Sequence, residues 1–232
     1  MSVKVVGVEK TYRLGENNVH ALKGINMELQ KGEFVAFMGP SGSGKTTLLN
    51  LIGVLDKPSK GKIYIDRTDL TALKEKDLTK LRRNTIGFIF QFYNLIPVLS
   101  AFENVELPML IAGVPTKERE SRARELLKMV GLADRINHRP DELSGGEQQR
   151  VAIVRALANK PSIVLADEPT GDLDSKTGKE VVQALRDLSN REGATVIVVT
   201  HDPTIASMAS RVFEMRDGTI IREHTNNMPV SN

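Results

Sequence analysis

The sequence predicts an α/β fold built on a largely parallel sheet, with an antiparallel β region at its start and a helical segment inserted in its middle. Three observations predict it. Short continuous apolar runs at 86–90, 163–166 and 196–199 suit central strands covered on both faces. A fourth apolar run, Phe34 to Met38, leads through a glycine-rich turn into a helical pattern at 46–52 carrying Leu48, Leu49, Leu51 and Ile52, so strand, loop and buried helix succeed one another. Between Gln91 and Pro161 the pattern turns helical, and Ala123, Leu126, Leu127 and Val130 share one helix face.

The remaining elements can be taken in chain order. Residues 3–8 and 19–29 alternate apolar with polar and are separated by Gly15, Glu16, Asn17 and Asn18, which predicts an antiparallel pair joined by a turn. Ser144 and Glu147 have the spacing of a capping box, and Pro161 cannot continue a helix, so a helix is expected over 145–159. Val181, Leu185 and Leu188 mark a further helix, and Asp217-Gly218 between 212–215 and 219–221 predicts a closing hairpin. There is no internal repeat.

At 232 residues, 40% apolar and 26% charged, the chain can bury a full core, and the only polar tract without pattern is the end, 225–232, expected to be a flexible tail. The net charge of +3 is spread among acids, so no nucleic-acid partner is implied, and Lys80, Arg82 and Arg83 read as a solvated face. No cysteine is present, which excludes disulfides and thiolate-bound metals. The start, Met-Ser-Val-Lys, has no apolar run of signal-peptide length, and the most apolar long window, 96–114, is interrupted by Glu103, Asn104, Glu106 and two prolines. The expected location is therefore the cytoplasm, with no direct membrane insertion.

Residues Gly39, Pro40, Ser41, Gly42, Ser43, Gly44, Lys45 and Thr46 match Gly-x-x-x-x-Gly-Lys-Ser/Thr, with a strand before and a helix after. Glycines let the backbone turn tightly so that successive amides face phosphate oxygens, and the helix N-terminus adds roughly half a positive charge. Lys45 would bridge the β- and γ-phosphates, and the Thr46 hydroxyl would coordinate Mg²⁺. The strand at 162–166 runs into Asp167 and Glu168, at the sheet edge where such folds place ligands. Asp167 is expected to hold Mg²⁺ through water, and Glu168 to orient and deprotonate the attacking water. Gln91 and His201 also end predicted strands. Gln91 can ligate the metal or the water by its amide oxygen, and His201 can donate to a γ-phosphate oxygen.

Leu143-Ser144-Gly145-Gly146-Glu147-Gln148-Gln149-Arg150 resembles the signature motif of the ABC (ATP-binding cassette) ATPases. The resemblance extends in order over Tyr12, Gly39 to Thr46, Gln91, the signature, Asp167 and Glu168, Asp174 and His201. It implies the family's fold: a P-loop NTPase core at 1–91 and 160–224 that includes the antiparallel β subdomain, with a helical subdomain at 92–159, all within one ATPase domain. It implies ATP and Mg²⁺ as ligands, contacts from Thr47 and Glu147 as well as the loop, and Tyr12 as the aromatic that stacks on adenine.

Ser144 and the amides of Gly145 and Gly146 open a helix and so form a second anion-binding nest. In the family that nest closes over the γ-phosphate held by a second copy, giving a homodimer with two sandwiched nucleotides. Asp174, in Gly171-Asp172-Leu173-Asp174, resembles the aspartate that links the two sites. Residues 91–97 and 103–108, with 78–83 upstream, resemble the lipoprotein-release and macrolide-export branch, although Val54 stands where that branch often has cysteine. The resemblance implies that these stretches receive a helix of a separate membrane permease, placing the protein on the cytoplasmic face of the membrane. It leaves two outcomes open, an export ATPase or one that regulates a non-transporting membrane protein. The soluble ABC ATPases of DNA repair and translation carry long insertions or two cassettes, unlike the short span here from Gln91 to Leu143 and the single phosphate loop.

Overall fold

A computed structural model describes residues 2–15 and 17–226. In chain order the elements begin with β1 (Val3–Leu14), β2 (Asn17–Leu29), β3 (Phe34–Met38), α1 (Lys45–Ile52), β4 (Lys60–Ile65) and β5 (Thr68–Asp69). Next come α2 (Glu75–Thr85), β6 (Ile86–Ile89), α3 (Ala101–Ile111), α4 (Thr116–Met129) and α5 (Gly145–Leu157). The chain continues through β7 (Ile163–Asp167), α6 (Ser175–Glu192), β8 (Thr195–Thr200), α7 (Pro203–Ala206), β9 (Arg211–Arg216) and β10 (Thr219–Thr225).

These elements fall into two compact units, one holding residues up to Thr79 together with those from Thr195 onward, the other Lys80–Ala194. In the first unit β1 pairs antiparallel with β2 and with β4, and β4 with β5, making the expected antiparallel sheet. The register of β1 against β2 shifts between Val5 and Val8. Gly7 sits in that bulge at a φ of 56°, and Gly61 of β4 passes so close that a Cβ on it would meet the Gly7 carbonyl oxygen at 2.3 Å.

The same unit pairs β3 in parallel with β8 and β9, and β10 returns antiparallel on β9 through Asp217-Gly218, both at positive φ as a two-residue hairpin turn requires. Every residue of β8 is buried, and Phe37 stacks on Phe213 at 5.0 Å between centroids. Buried Thr195 is satisfied: its hydroxyl donates to Ser2 Oγ and accepts from the Gly32 N–H.

In the second unit β6 pairs in parallel with β7, and α5 is the central helix, packed against α3, α6 and β6. Val151, Ala152, Ile153, Val154 and Leu157 of α5 are all at 0% exposure, so its C-terminal half is buried nearly all round. Its approach to β6 is close enough that a Cβ on Gly87 would lie 2.3 Å from the Ala156 carbonyl oxygen.

Several boundaries differ from expectation, the largest being that β1 runs on to Leu14 where a strand is expected over 3–8. Asn17 and Asn18 belong to β2 rather than to a turn; Glu16 lies outside the described residues. The helix α1 starts at Lys45, one residue early, because Gly44 in the left-handed conformation already caps it. The helix α5 ends at Leu157, ahead of Lys160 at a φ of 51° and Pro161, since the residue before a proline is driven out of helical backbone. Finally, Thr225 completes β10 and Asn226 donates from its backbone to Ser210 O, so the expected tail loses its first two residues, and 227–232 lie outside the described residues. Among the described residues no helix is long and apolar enough to cross a membrane.

Candidate nucleotide site

The expected site residues divide between the two units. Tyr12, Gly39 to Thr47 and His201 belong to the first; Gln91, Ser144 to Glu147, Asp167, Glu168 and Asp174 belong to the second.

In the first unit Met38 and Thr200 are register partners, so the phosphate loop and His201 leave neighbouring strands at the same edge. The loop is a cradle that side chains would fill. A Cβ on Gly39 would fall 2.2 Å from the Met215 carbonyl oxygen, and one on Gly44 would fall 2.6 Å from that of Ala21. Gly44 caps α1 with no side-chain hydrogen bond, and no acid stands in the first helical turn, so the helix itself supplies neither a capping side chain nor a carboxylate at this end. Ser43 Oγ is buried without a hydrogen-bond partner, a polar atom of the kind an anion satisfies. Lys45 is buried, and its ammonium donates to the Gly39 and Pro40 carbonyls at 2.8 and 3.0 Å, which arches it over the loop. Thr46 is exposed at the start of α1.

The closing hairpin braces this loop. Gly218 donates its N–H to Ser43 O at 3.1 Å and accepts at its own carbonyl from the Lys23 N–H at 2.9 Å. Its φ of 81° and the 2.8 Å that would separate a Cβ from Ala21 O leave room only for glycine. The sequence marks Gly218 as a turn; its second role depends on β2 and β9 lying beside the loop, which no local pattern reports.

Tyr12 is half-buried on β1 and anchored. Its hydroxyl donates to Asp56 Oδ2 at 2.9 Å, and Lys10 Nζ stands 4.8 Å from the ring centroid while bonding Asp56 Oδ1 at 2.7 Å. Burial pushes the Tyr12 phenol up, reinforced by the bond to Asp56 and its charge. Asp56 is drawn upward by burial, but bonds from Lys10, the Lys57 amide and Tyr12 outweigh it and hold the carboxyl below its ordinary value. Lys10 and Asp56 gave no signal in the sequence, because the anchor joins a strand to a loop far along the chain.

In the second unit Ile89 pairs with Ala166, so Gln91 and Glu168, each two residues on, emerge from one edge of the β6–β7 pair. Asp167 is the last residue of β7. Glu168 has a φ of 45°, left-handed backbone for a non-glycine residue that precedes a proline, a conformation costing about 1–3 kcal/mol. Gly171 N–H closes the turn onto Glu168 O at 3.0 Å, and the Gln91 side chain packs on Gly171.

Ser144 caps α5 in the expected capping box: its Oγ accepts from Glu147 N–H at 3.3 Å, and Glu147 Oε2 accepts from Ser144 N–H at 2.8 Å. The Ser144 amide holds the Glu147 carboxyl below its ordinary value against the pull of burial. Gly146 is buried where a Cβ would meet Thr177 at 2.6 Å. Asp174 caps α6, accepting from the Lys176 and Thr177 amides at 3.0 and 3.1 Å, and is exposed.

The family model described as ABC transporter matches residues 22–171, well over half of the chain and spanning the phosphate loop, the signature and both carboxylates. The chain belongs to the ABC transporter family. It is an ATP-hydrolysing cassette of that family. The uncharacterized ABC transporter ATP-binding protein MJ0796 of Methanocaldococcus jannaschii is 53% identical over 225 residues, 95% of this chain and 96% of that one. A dimeric post-hydrolysis structure of that cassette bound to ADP and Pi matches with a TM-score of 0.88 at 52% identity, covering 96% of this chain and 98% of the other. The lipoprotein-releasing system ATP-binding protein LolD of Bacteroides fragilis is 49% identical over 219 residues, 94% of this chain and 100% of its own. The macrolide export ATP-binding/permease protein MacB of Wolinella succinogenes is 52% identical over 218 residues, but this ABC cassette spans 34% of its length.

Proposed function

We propose that this cassette works as a head-to-tail pair on the cytoplasmic face of a membrane, closing on two ATP molecules to drive a separate export-type permease and hydrolysing them to reopen. The observation that carries this reading is the uncapped glycine cradle beneath Lys45, together with relatives that are a lipoprotein-releasing ATPase, a macrolide exporter and a dimeric cassette.

In this reading the phosphate-loop amides and Lys45 hold the β- and γ-phosphates, Tyr12 stacks on adenine, and Thr47 and Glu147 make further nucleotide contacts. Thr46 and Gln91 would give oxygen donors to Mg²⁺, an ion that neutralises phosphate charge when bound, and Asp167 would hold it through water. Glu168 takes the proton of the attacking water, Gln91 orients that water, and His201 donates to a γ-phosphate oxygen. Ser144 with the Gly145 and Gly146 amides supplies a partner copy with the positive potential that a phosphoryl transfer needs, and Asp174 lies at the pairing surface. The permease contact falls on 91–97 and 103–108, where Phe92 and nearby Val98 are each 71% exposed although apolar.

Glu168→Gln tests the chemistry. The variant should bind ATP as the parent does, lose turnover, and elute as an ATP-dependent dimer on gel filtration. Turnover at the parental rate would remove Glu168 from its role. Isolation of the membrane protein that co-purifies with the chain tests the coupling, and a permease is the expected partner.

A further inference from the structure

Gln149 lies on α5 at 0% exposure, although a primary amide is costly to bury. Its Nε2 donates to the Pro169 carbonyl at 2.5 Å and, at a longer 3.5 Å, to the Phe90 carbonyl. Both partners are acceptors, so only the NH₂ group can face them and the amide orientation is determined. The other end, Oε1, is buried with no hydrogen-bond partner. A methionine would fill the same space without an unpaired Oε1, at the expense of the donor to the Pro169 carbonyl. The amide is therefore retained against a cost, and the two carbonyls it holds flank the chemistry: Pro169 directly follows Glu168, and Phe90 directly precedes Gln91.

Both segments adopt backbone that needs holding. Glu168 is left-handed ahead of a proline, and beyond Gln91 the residues Tyr93 and Asn94 are left-handed as well, with φ of 58° and 48°. Farther along the same helix Arg155 donates to the Tyr93 carbonyl at 2.7 Å and to that of Asn94. At the other end of α5 the Tyr93 hydroxyl would lie 2.8 Å from a Cβ on Gly145. One rigid helix thus grips the Gln91 loop at its middle and both ends, and the Glu168 turn from the same residue, Gln149.

We infer that α5 is the gauge that sets Glu168 and Gln91 at one spacing, and that Gln149 is the positioning residue through which it does so. The inference rests on the roles given above to Glu168 and Gln91. Since Gln149 shares its helix with Ser144, a shift at the signature end carries the Glu168 turn with it inside one protomer, so engagement of a partner's nucleotide adjusts the carboxylate that this protomer uses. Gln149 itself touches no reacting atom.

The test is Gln149→Met in the full chain. Affinity for a fluorescent ATP analogue and the KM for ATP should stay within about threefold of the parent, while kcat, counted per titrated nucleotide site so that misfolded protein does not enter, falls about a hundredfold, as a misplacement near 1 Å does. The ATP-dependent dimer should persist as it does for Glu168→Gln. Gln149→Glu adds a second readout: a carboxylate facing two carbonyls repels them, whereas its protonated form restores one donor, so its kcat relative to the parent should rise as pH falls. A parental kcat in Gln149→Met overturns the inference, as does loss of ATP affinity in step with activity, or a flat pH ratio for Gln149→Glu. Retained turnover in Glu168→Gln would instead sink the role of Glu168, whatever Gln149 does.

Discussion

The helix N-termini of α1 and α5 are built on opposite plans. At α1 the cap is Gly44, with no side-chain bond and no acid in the first turn. At α5 the cap is Ser144, locked with Glu147 in a reciprocal box. The first end leaves its amides to a ligand and relies on close-packed backbone for its shape. The second satisfies itself and stays ordered on its own, keeping only the first amides and the Ser144 O–H to offer. A resident phosphate suits the first plan, and a transient contact from another copy suits the second.

The comparison can be broken most severely at Gly39. Gly39→Ala puts a methyl group 2.2 Å from Met215 O, so the cradle must distort. A cost of about 3 kcal/mol would weaken ATP binding about a hundredfold, measurable by fluorescent-nucleotide titration. Parental affinity would mean that the loop does not depend on its close approach to β9.

Ser144→Ala acts at the other end and should separate the two plans. Binding to the monomer stays parental, the melting free energy drops by about 1 kcal/mol through loss of the cap, and turnover falls roughly tenfold to a hundredfold as one donor to the transferring group disappears. Equal losses in binding and turnover would argue against a self-sufficient signature end.

How legible these ends were depends on how local they are. The phosphate loop, the capping box and the Asp217-Gly218 turn are each written within a few residues, so pattern and turn chemistry revealed them. The Tyr12 anchor at Asp56, the Gln149 bridge and the brace from Gly218 join residues from distant parts of the chain, and each needs the fold before it exists. Gln149 illustrates the limit well: it stands inside the recognised signature string, yet nothing in that string says which carbonyls it will meet. The strands β4 and β5 escaped because β5 has two residues and β4 opens with three exposed ones, leaving too little alternation to read.

Smaller effects sharpen the picture. Asp56→Asn and Tyr12→Phe each loosen the aromatic anchor; each should raise the KM for ATP about fivefold, the value of one hydrogen bond near 1 kcal/mol, with kcat unchanged in steady-state assays. A change in kcat would place the anchor in the chemistry instead.

The smallest is a pH effect at the capping box. The Glu147 carboxyl is held below its ordinary value of 4.5, so it stabilises the fold fully at pH above that value and loses the contribution as pH falls through its lower folded-state value. For a partly exposed cap worth about 0.5 kcal/mol, the melting temperature of the parent should drop by about 1–2 °C more than that of Glu147→Gln on acidification below the ordinary value. Parallel melting curves for the two proteins would deny the box any electrostatic share.

The bond from Gly218 to Ser43 bears on how the chain is born. A ribosome emits the phosphate loop well before the hairpin that steadies it, so for part of translation the nascent polypeptide carries a nucleotide cradle missing one wall. Closure of the cradle then waits on the folding of the hairpin and not on the synthesis of the loop alone.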